Sequence, residues 1–227
     1  MKILTLIPAR IGSISIRKKN LQKLNNLSLL VRAAKKVKKS KYKLDLFIST
    51  ESKIIISVCN KYKLKYIKRP KNLARNNTNT VKVLLHALRF LLKKGKEYNI
   101  LACVQCTSPF FDTKHFDDAV ELILNKKADT AFTASKFHGF LWKLNKLNSV
   151  KPINHNSNTR VRRQDRPTEF NEDGAIKITK VKLFLKSKSL YNGKIKIVET
   201  PVENNLDINE KIDLKIAKIF EKYLFKK

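Results

Sequence analysis

The sequence predicts an α/β fold of the doubly wound, Rossmann-like type with a mainly parallel sheet. Short apolar runs with the length of buried strands alternate with stretches whose apolar residues recur at helical spacing. This alternation favours parallel pairing through right-handed crossovers, with ligands bound outside the carboxyl ends of the strands. Because 227 residues suffice for one core, we expect a single domain over 1–227.

The elements follow one another in order along the chain. Strands are predicted at residues 2–7, 44–49, 64–67, 99–105, 130–134, 175–178 and 194–198. Helices are predicted at residues 29–37, 81–92, 117–124, 181–186 and about 210–224. In the last helix, helical spacing predicts one common apolar side, formed by Ile212, Ile216, Ile219 and Leu224.

Between residues 137 and 170 the alternation stops, and the segment is polar, charged and rich in Asn. We therefore interpret residues 137–170 as an insert or a dimerisation arm. Its aromatic residues Phe137, Phe140 and Trp142 are expected to pack the insert or a dimer contact.

The charge is strongly positive, with 50 Lys and Arg against 18 Asp and Glu and a formal net charge of +32. Such a charge usually indicates nucleic acid or an anionic membrane. Here the lysines are spread over every segment and do not alternate with aromatic residues, so nucleic-acid binding is disfavoured. No apolar run has the length of a membrane span, and the apolar start is too short for a signal sequence. We expect a cytoplasmic protein that does not contact membranes.

The three cysteines are too few for a disulfide scaffold. Cys103 and Cys106 form a C-x-x-C at the end of an apolar strand, where residues three apart point to opposite faces. No second ligand pair follows, so we interpret both as core side chains rather than as a zinc or redox site.

A candidate anion-binding loop follows the first strand. It contains Gly12 and Ser13 and the basic tract Arg17-Lys18-Lys19. Backbone N–H groups and cations at the carboxyl end of a strand can surround a polyphosphate. A basic surface turn explains this segment, taken alone, equally well.

Several further segments occur in a recognisable order: IPARIGS (7–13) with Lys19-Asn20, FISTE (47–51), RPKNLA (69–74), VQCTSP (104–109), RQD (163–165), DGAI (173–176), and LDIN (206–209) with Asp213. Together they resemble the acylneuraminate cytidylyltransferase (CMP-N-acetylneuraminic acid synthetase) family, which includes legionaminic and pseudaminic acid cytidylyltransferases. The similarity extends over roughly residues 3–217, and several motifs in one order are more specific than any single motif.

The resemblance implies a nucleotide-diphospho-sugar transferase-like fold and transfer of CMP from CTP to the anomeric hydroxyl of an acidic nine-carbon 2-keto sugar, with release of pyrophosphate. It also implies Mg²⁺ as cofactor and a homodimer whose arm helps to close the neighbouring sugar site.

The resemblance also assigns roles to individual residues. The implied catalytic residues are Arg10 on the phosphates, Arg163 on the sugar carboxylate and Asp207 on Mg²⁺. The implied nucleotide contacts are Arg10, Gly12, Ser13, Lys19, Asn20, Arg69, Thr78 and Gln105. The implied sugar contacts are Gln105, Arg163, Gln164 and Asp173, and the implied metal ligands are Asp207 and Asn209. Taken singly, the arginines could be surface cations and Asp207 a helix cap. Asp213 is expected to make a structural contact.

The sequence departs from the family pattern at the site itself. Three positions carry a hydrophobic residue that the family pattern does not have, namely Ile11, Ile14 and Phe111. Asn76 and Asn209 stand where the pattern has an aspartate, and Asp173 stands where it has an asparagine. Arg17 or Lys18 could replace the charge missing at Ile14. These departures leave open an unusual sugar, a low activity or a loss of catalysis. The alternatives are a catalytically silent homologue that binds nucleotide or RNA through its positive field, and a 3-deoxy-octulosonate cytidylyltransferase.

Overall fold

The computed structural model of the protein describes residues 1–146, 148–159 and 161–223. The strands in these residues are β1 (Ile3–Pro8), β2 (Lys23–Leu24), β3 (Leu27–Ser28), β4 (Leu44–Thr50), β5 (Tyr66–Lys68), β6 (Ile100–Val104), β7 (Thr130–Phe137), β8 (Trp142–Leu144), β9 (Val150–Pro152), β10 (Glu169–Lys180) and β11 (Ile195–Glu199). The α-helices are α1 (Leu29–Lys38), α2 (Lys53–Lys61), α3 (Thr80–Leu92), α4 (Thr113–Leu124), α5 (Val181–Ser187) and α6 (Lys211–Tyr223).

The central sheet has the strand order β11-β7-β10-β6-β1-β4-β5. Its neighbouring strands are parallel except where β10 is involved, because β10 runs antiparallel to both β6 and β7. The predicted doubly wound, mainly parallel sheet is confirmed. The antiparallel direction of β10 was not predicted, because a sequence pattern gives the position of a strand but not its direction.

Two apolar layers cover the sheet, one on each face. Strand β1 shows the division: Ile3 and Ile7 join one layer, whereas Leu4 and Leu6 join the other. Helices α1, α2, α4 and α6 contribute buried residues to the first layer, and α3 and α5 contribute to the second. The helices therefore hold the sheet between them and leave its ends accessible.

Side-chain caps define where several helices begin. The Ser28 hydroxyl accepts from the N–H of Val31 at 3.3 Å, and Ser52 does the same at α2. At α4, Asp112 and His115 form a reciprocal capping box. Each cap satisfies backbone N–H groups that the helix itself leaves without partners.

Helix α2 was not predicted from the sequence. It contains the run Ile54-Ile55-Ile56, and β-branched residues in succession are more typical of strands. Only Ile55 and Cys59 of this helix are buried. The sequence signals for this short helix are therefore weak: the four-residue spacing of Ile55 and Cys59 and the capping residue Ser52.

The predicted apolar side of the last helix was wrong. In α6, Ile212 is 58% exposed and Ile219 is 55% exposed, whereas Ala217 and Glu221 are buried. Glu221 is buried because Arg32 of α1 pairs with it at 2.6 Å. The side of α6 that packs on the first layer carries Leu214, Ala217 and Phe220 instead of the isoleucines, and the ion pair to Arg32 lies next to it. The predicted contribution of Leu224 lies outside the described residues.

Residues 138–168 form an excursion between β7 and β10, close to the predicted insert at 137–170. Strands β8 and β9 pair there as a small antiparallel hairpin. The His155 ring contacts the rings of Phe140 and Trp142, with centroids 4.7 and 4.8 Å apart. These aromatic residues therefore pack within the insert, although Trp142 remains 49% exposed. Among the described residues, no helix combines the length and the apolar character that crossing a bilayer requires.

Candidate active site

A cleft of about 540 Å³ opens at the carboxyl ends of the parallel strands. The loop after β1, the segment after β5, the end of β6 and residues 207–210 surround it. The predicted site residues that line this cleft are Arg10, Gly12, Ser13, Lys19, Asn20, Arg69, Thr78, Gln105, Asp207 and Asn209. A site outside the carboxyl ends of the strands is what the predicted topology requires.

Asn20 fixes the loop that follows β1. Its amide N–H donates to the backbone oxygen of Arg10 at 2.8 Å, and its amide oxygen accepts from the Cys106 thiol at 3.2 Å. Burial raises the pKa of the Cys106 thiol to about 12, so the thiol keeps the proton that it donates. Cys103 and Cys106 are both buried, in opposite layers, as expected for core side chains.

Beneath the cleft, Arg69 and Glu51 form a buried ion pair. Arg69 is 4% exposed, and its Nη2 and Nε lie 3.1 and 3.2 Å from Oε2 of Glu51. The other oxygen of Glu51 accepts the backbone N–H of Ile11 at 2.9 Å. Burial lowers the pKa of Arg69, and the Glu51 carboxylate opposes this shift. Glu51 thus holds both a buried cation and the anion-binding loop.

Arg10 extends across the cleft toward the segment after β5. Its guanidinium donates to the amide oxygen of Asn76, and a longer contact of 3.5 Å reaches the backbone oxygen of Ala74. Within the described residues Arg10 forms no ion pair with a carboxylate. Its charge therefore remains available to an anionic ligand.

The segment at residues 207–209 closes the other side of the cleft. Asp207 accepts from the amide of Asn209 at 2.9 Å and from the Ser108 hydroxyl at 3.4 Å. The ammonium group of Lys19 donates to the backbone oxygen of Ile208 at 2.8 Å and to Oδ1 of Asn209 at 3.3 Å. These contacts join the loop after β1 to the segment before α6.

Asp213 has the structural role that was predicted for it. Its carboxylate accepts the backbone N–H groups of Asn209 and Glu210 at 2.8 and 2.7 Å. Asp213 thus caps the first turn of α6 and fixes the adjoining segment 207–209.

These residues fit one divalent cation. Mg²⁺ is commonly held by one or two carboxylates together with phosphate oxygens of a substrate. Asp207 supplies one carboxylate that is half-buried at the wall of the cleft. The part of the chain that the structure describes contains no cluster of three or more Asp, Glu, His or Cys that could hold a metal. A phosphate-bearing ligand would therefore have to supply much of the coordination.

Arg163 and Gln164 do not reach the cleft of their own chain, which corrects the prediction. They line a separate pocket of about 310 Å³ in the excursion, together with Lys136 and His138. The excursion is held in place by the nearby Arg166, which donates to the backbone oxygen of His138 at 2.8 Å and pairs with Glu169 at 2.6 Å. Arg163 lies on the exposed side of this small substructure.

Asp173 is also not placed to contact a ligand, which corrects a second prediction. It is 2% exposed and accepts from the hydroxyls of Thr133 and Thr200 and from the N–H of Ala175. Burial raises the pKa of Asp173, and these hydrogen bonds oppose the shift. Its backbone oxygen accepts from Ser108, so Asp173 supports the floor beside the cleft from within the fold.

Sequence reasoning missed a buried lysine on β10, Lys177, and its ion pair with Glu172. Lys177 is 9% exposed and pairs with Glu172 at 2.5 Å, and the Tyr191 hydroxyl also donates to Glu172. Lys177 lies opposite Cys103 in the sheet. Gln105 follows directly after the end of β6, and its backbone N–H continues the pairing with β10 through the oxygen of Ala175. Among 50 cationic residues, nothing in the sequence distinguishes this lysine. The cleft also includes residues that were not singled out, namely Ser15, Arg75, Thr80 and Glu210.

Comparisons with known proteins find relatives over most of this chain. A family model described as Cytidylyltransferase matches residues 4–222. The N-acylneuraminate cytidylyltransferase A of Danio rerio is 29% identical over 218 residues, which are 95% of this chain and 50% of the relative. The pseudaminic acid cytidylyltransferase of Campylobacter jejuni is 25% identical over 226 residues, or 98% of this chain and 97% of the relative.

Solved structures support the fold. A CMP:2-keto-3-deoxy-manno-octonic acid synthetase complexed with CTP superposes with a TM-score of 0.72 at 11% identity, covering 98% of this chain and 99% of that one. Identity at this level supports the fold alone. The chain spans about half the length of several of its curated relatives.

Proposed function

Because this chain belongs to the cytidylyltransferase family, we propose that it transfers CMP from CTP to the anomeric hydroxyl of a sialic-acid-like 2-keto sugar acid and releases pyrophosphate. The observation that carries the proposal is the convergence of Arg10, Arg69, Gln105 and Asp207 on one cleft at the strand ends. The names of relatives that use N-acylneuraminate and pseudaminic acid support the choice of acceptor.

The chemistry assigned to the cleft is positioning and neutralisation of charge. The anomeric oxygen forms a bond to the α-phosphorus as the hydroxyl loses its proton to water, and the bond from that phosphorus to the bridging oxygen of the leaving pyrophosphate breaks. Arg10 and Lys19 lie where they can face the triphosphate, and the buried Arg69 adds positive charge below it. Cations preorganised in this way stabilise the charge that develops on the leaving group. Mg²⁺, held by Asp207 and phosphate oxygens, would neutralise further charge.

Gln105 is the group best placed to orient a ligand at the centre of the sheet. Its backbone N–H is bonded to the oxygen of Ala175, while its side-chain amide lines the cleft and has no partner within the described residues. We assign this amide to recognition of the base or of the acceptor sugar.

The excursion supplies a second part of the proposal. We assign residues 137–170 as the dimerisation arm of a single-domain protein over 1–227, so that the arm reaches the cleft of the partner subunit. The pocket formed by Arg163, Lys136 and His138 is cationic and suits the carboxylate of the sugar acid. Arg163 and Gln164 would then complete a site in the neighbouring chain.

The direct test measures pyrophosphate released from CTP with Mg²⁺ and, separately, sialic, legionaminic and pseudaminic acid. We expect release with one of these acids and none without an acceptor. If none supports release while 3-deoxy-octulosonate does, the octulosonate alternative replaces the proposal. ATP and UTP serve as nucleotide controls.

A second candidate is a catalytically silent homologue that binds anions. The substitutions at Ile14 and Asn209 and the net charge of +32 favour it. Such a protein would bind RNA with an affinity that falls steeply as salt is raised, and it would not prefer CTP among nucleotides. A salt titration of RNA binding, beside CTP binding measured by calorimetry, separates the two candidates.

A further inference from the structure

Lys19 connects two segments that are far apart in the sequence. Its ammonium group lies between the backbone oxygen of Ile208, at 2.8 Å, and Oδ1 of Asn209, at 3.3 Å. Ser15 adds a hydrogen bond from the same loop to the backbone oxygen of Asn209. We refer to Ser15, Lys19 and Asn209 as the loop latch.

The latch places a fixed positive charge where a metal ligand was expected. The Asn209 side chain donates its N–H to Asp207 and directs its oxygen at an ammonium group. A divalent cation that bound to this oxygen would lie within a few ångströms of Lys19. Like charges at such a separation repel strongly, and a neutral amide offers little to offset the repulsion.

Asp207 remains accessible to a cation from its other oxygen. Oδ1 of Asp207 has one partner among the described residues, the Ser108 hydroxyl at 3.4 Å, and a contact of that length is weak. The cleft therefore offers one anionic position for a metal and one position that an ammonium group already occupies.

We propose that Lys19 keeps divalent cations away from Asn209, so that the cleft binds a single Mg²⁺ at Asp207 together with the triphosphate. The inference rests on the proposed function for the nucleotide, but the latch itself is a property of the chain. It makes Lys19 a positioning residue that holds Asn209 and contributes a resident positive charge.

The test counts Mn²⁺, used in place of Mg²⁺, by equilibrium dialysis of the full chain with α,β-methylene-CTP, in which a CH₂ group replaces the bridging oxygen. We expect one Mn²⁺ per chain in the wild type and two in the double variant Lys19→Gln/Asn209→Asp. The matched control is Lys23→Gln, which removes an exposed lysine of the same region that does not contact residues 207–209, and it should keep one.

Two results of the dialysis would overturn the inference. Two Mn²⁺ per chain in the wild type would mean that Lys19 does not exclude a metal ion. One Mn²⁺ per chain in the double variant would mean that Lys19 and Asn209 are not what limits the wild type to a single ion. Failure of the analogue to bind at all would instead contradict the proposed function.

The affinity for Mn²⁺ without nucleotide tests the loop latch even if the CTP analogue does not bind. We expect the double variant to bind Mn²⁺ at least about tenfold more tightly than the wild type, because it gains a carboxylate and loses a competing cation. The single variant Asn209→Asp should gain less than about threefold, since Lys19 would pair with the new carboxylate. Equal gains in the single and double variants would exclude a role for Lys19. Circular dichroism checks that each variant is folded.

Discussion

At the scale of single residues, Glu51 balances the buried positive charge of Arg69 beneath the cleft. Arg69 lies below the ligand position with only 4% of its surface exposed, and a guanidinium is rarely buried so deeply without a partner. Glu51 supplies that partner and also binds the N–H of Ile11. One side chain thus supports both the shape of the loop and the charge beneath it.

Removing the charge of Glu51 should destabilise the protein. In Glu51→Gln, Arg69 would stay buried without a counter-ion, and we expect the free energy of unfolding to fall by about 3 kcal/mol. Urea denaturation measures the loss. The matched control is Glu121→Gln, whose pair with Lys41 is exposed and should contribute little. Equal losses in the two variants would contradict the role assigned to Glu51.

Arg10 can meet a triphosphate, because it lines the cleft and has no carboxylate partner among the described residues. In Arg10→Gln we expect the Kd for CTP to rise about 10- to 100-fold, the range of a lost charge-assisted hydrogen bond. Calorimetry measures the change. Arg89→Gln, an exposed position on α3, should bind CTP like the wild type. Unchanged binding in Arg10→Gln would remove Arg10 from the site.

At the scale of secondary structure, α1 anchors the connection between β6 and α4. Lys36 donates to the backbone oxygens of Pro109 and Phe111 at 2.9 and 2.5 Å. The buried Phe111 lies where the family usually has an arginine, and the Lys36 ammonium lies 5.1 Å from its ring centre. Burial, with a further contribution from the charge of Arg32, lowers the pKa of Lys36 to about 8.

This lowered pKa predicts a dependence of stability on pH. Between pH 8 and about 10.5 the unfolded chain holds a proton on Lys36 that the folded chain has lost, so stability rises with pH. The free energy of unfolding of the wild type, relative to Lys36→Met, should increase by about 1–3 kcal/mol over this range. Urea denaturation at several pH values measures it. The difference between the wild type and Lys35→Met, a substitution at an exposed position of α1, should show no such trend, because both proteins keep Lys36.

Strands were easier to predict from the sequence than short helices or the rotation of a helix. Strands such as β1 and β6 were predicted within a residue or two, because buried parallel strands are continuous apolar runs. Helix α2 was missed because its isoleucines are typical of strands. In α6 two apolar patterns compete, and the core side carries Leu214, Ala217 and Phe220 rather than the isoleucines. The ion pair between Arg32 and Glu221 lies next to this side, and a sequence pattern does not reveal it.

At the scale of the whole molecule, the cleft combines residues from both ends of the chain. Arg10 and Asp207 were predicted to share a cavity from motif order, and the fold brings both to its lining. Arg163 was predicted to share it and does not, because the excursion that carries it packs on itself through Arg166. Motif order indicates which residues belong together but not whether they come from one subunit.

A complementation experiment tests the proposed site between subunits. At a CTP concentration near the wild-type Kd, Arg10→Gln and Arg163→Gln should each show little activity alone. If the arm acts on the partner, mixed dimers regain one intact site, and up to about a quarter of wild-type activity should return after subunit exchange. Pyrophosphate release measures the recovery. No recovery, in a mixture shown by mass spectrometry to contain mixed dimers, would place Arg163 and Arg10 in the same chain's site.

The direction of two strands has a consequence for how this protein could change over evolution or in the laboratory. Strand β7 leaves the sheet at the cleft edge and β10 re-enters it there, so the chain between them can be lengthened, shortened or exchanged without disturbing the buried layers. Changes in this excursion could then alter the proposed acceptor preference and subunit pairing, while the sheet and the cleft beside it keep their structure.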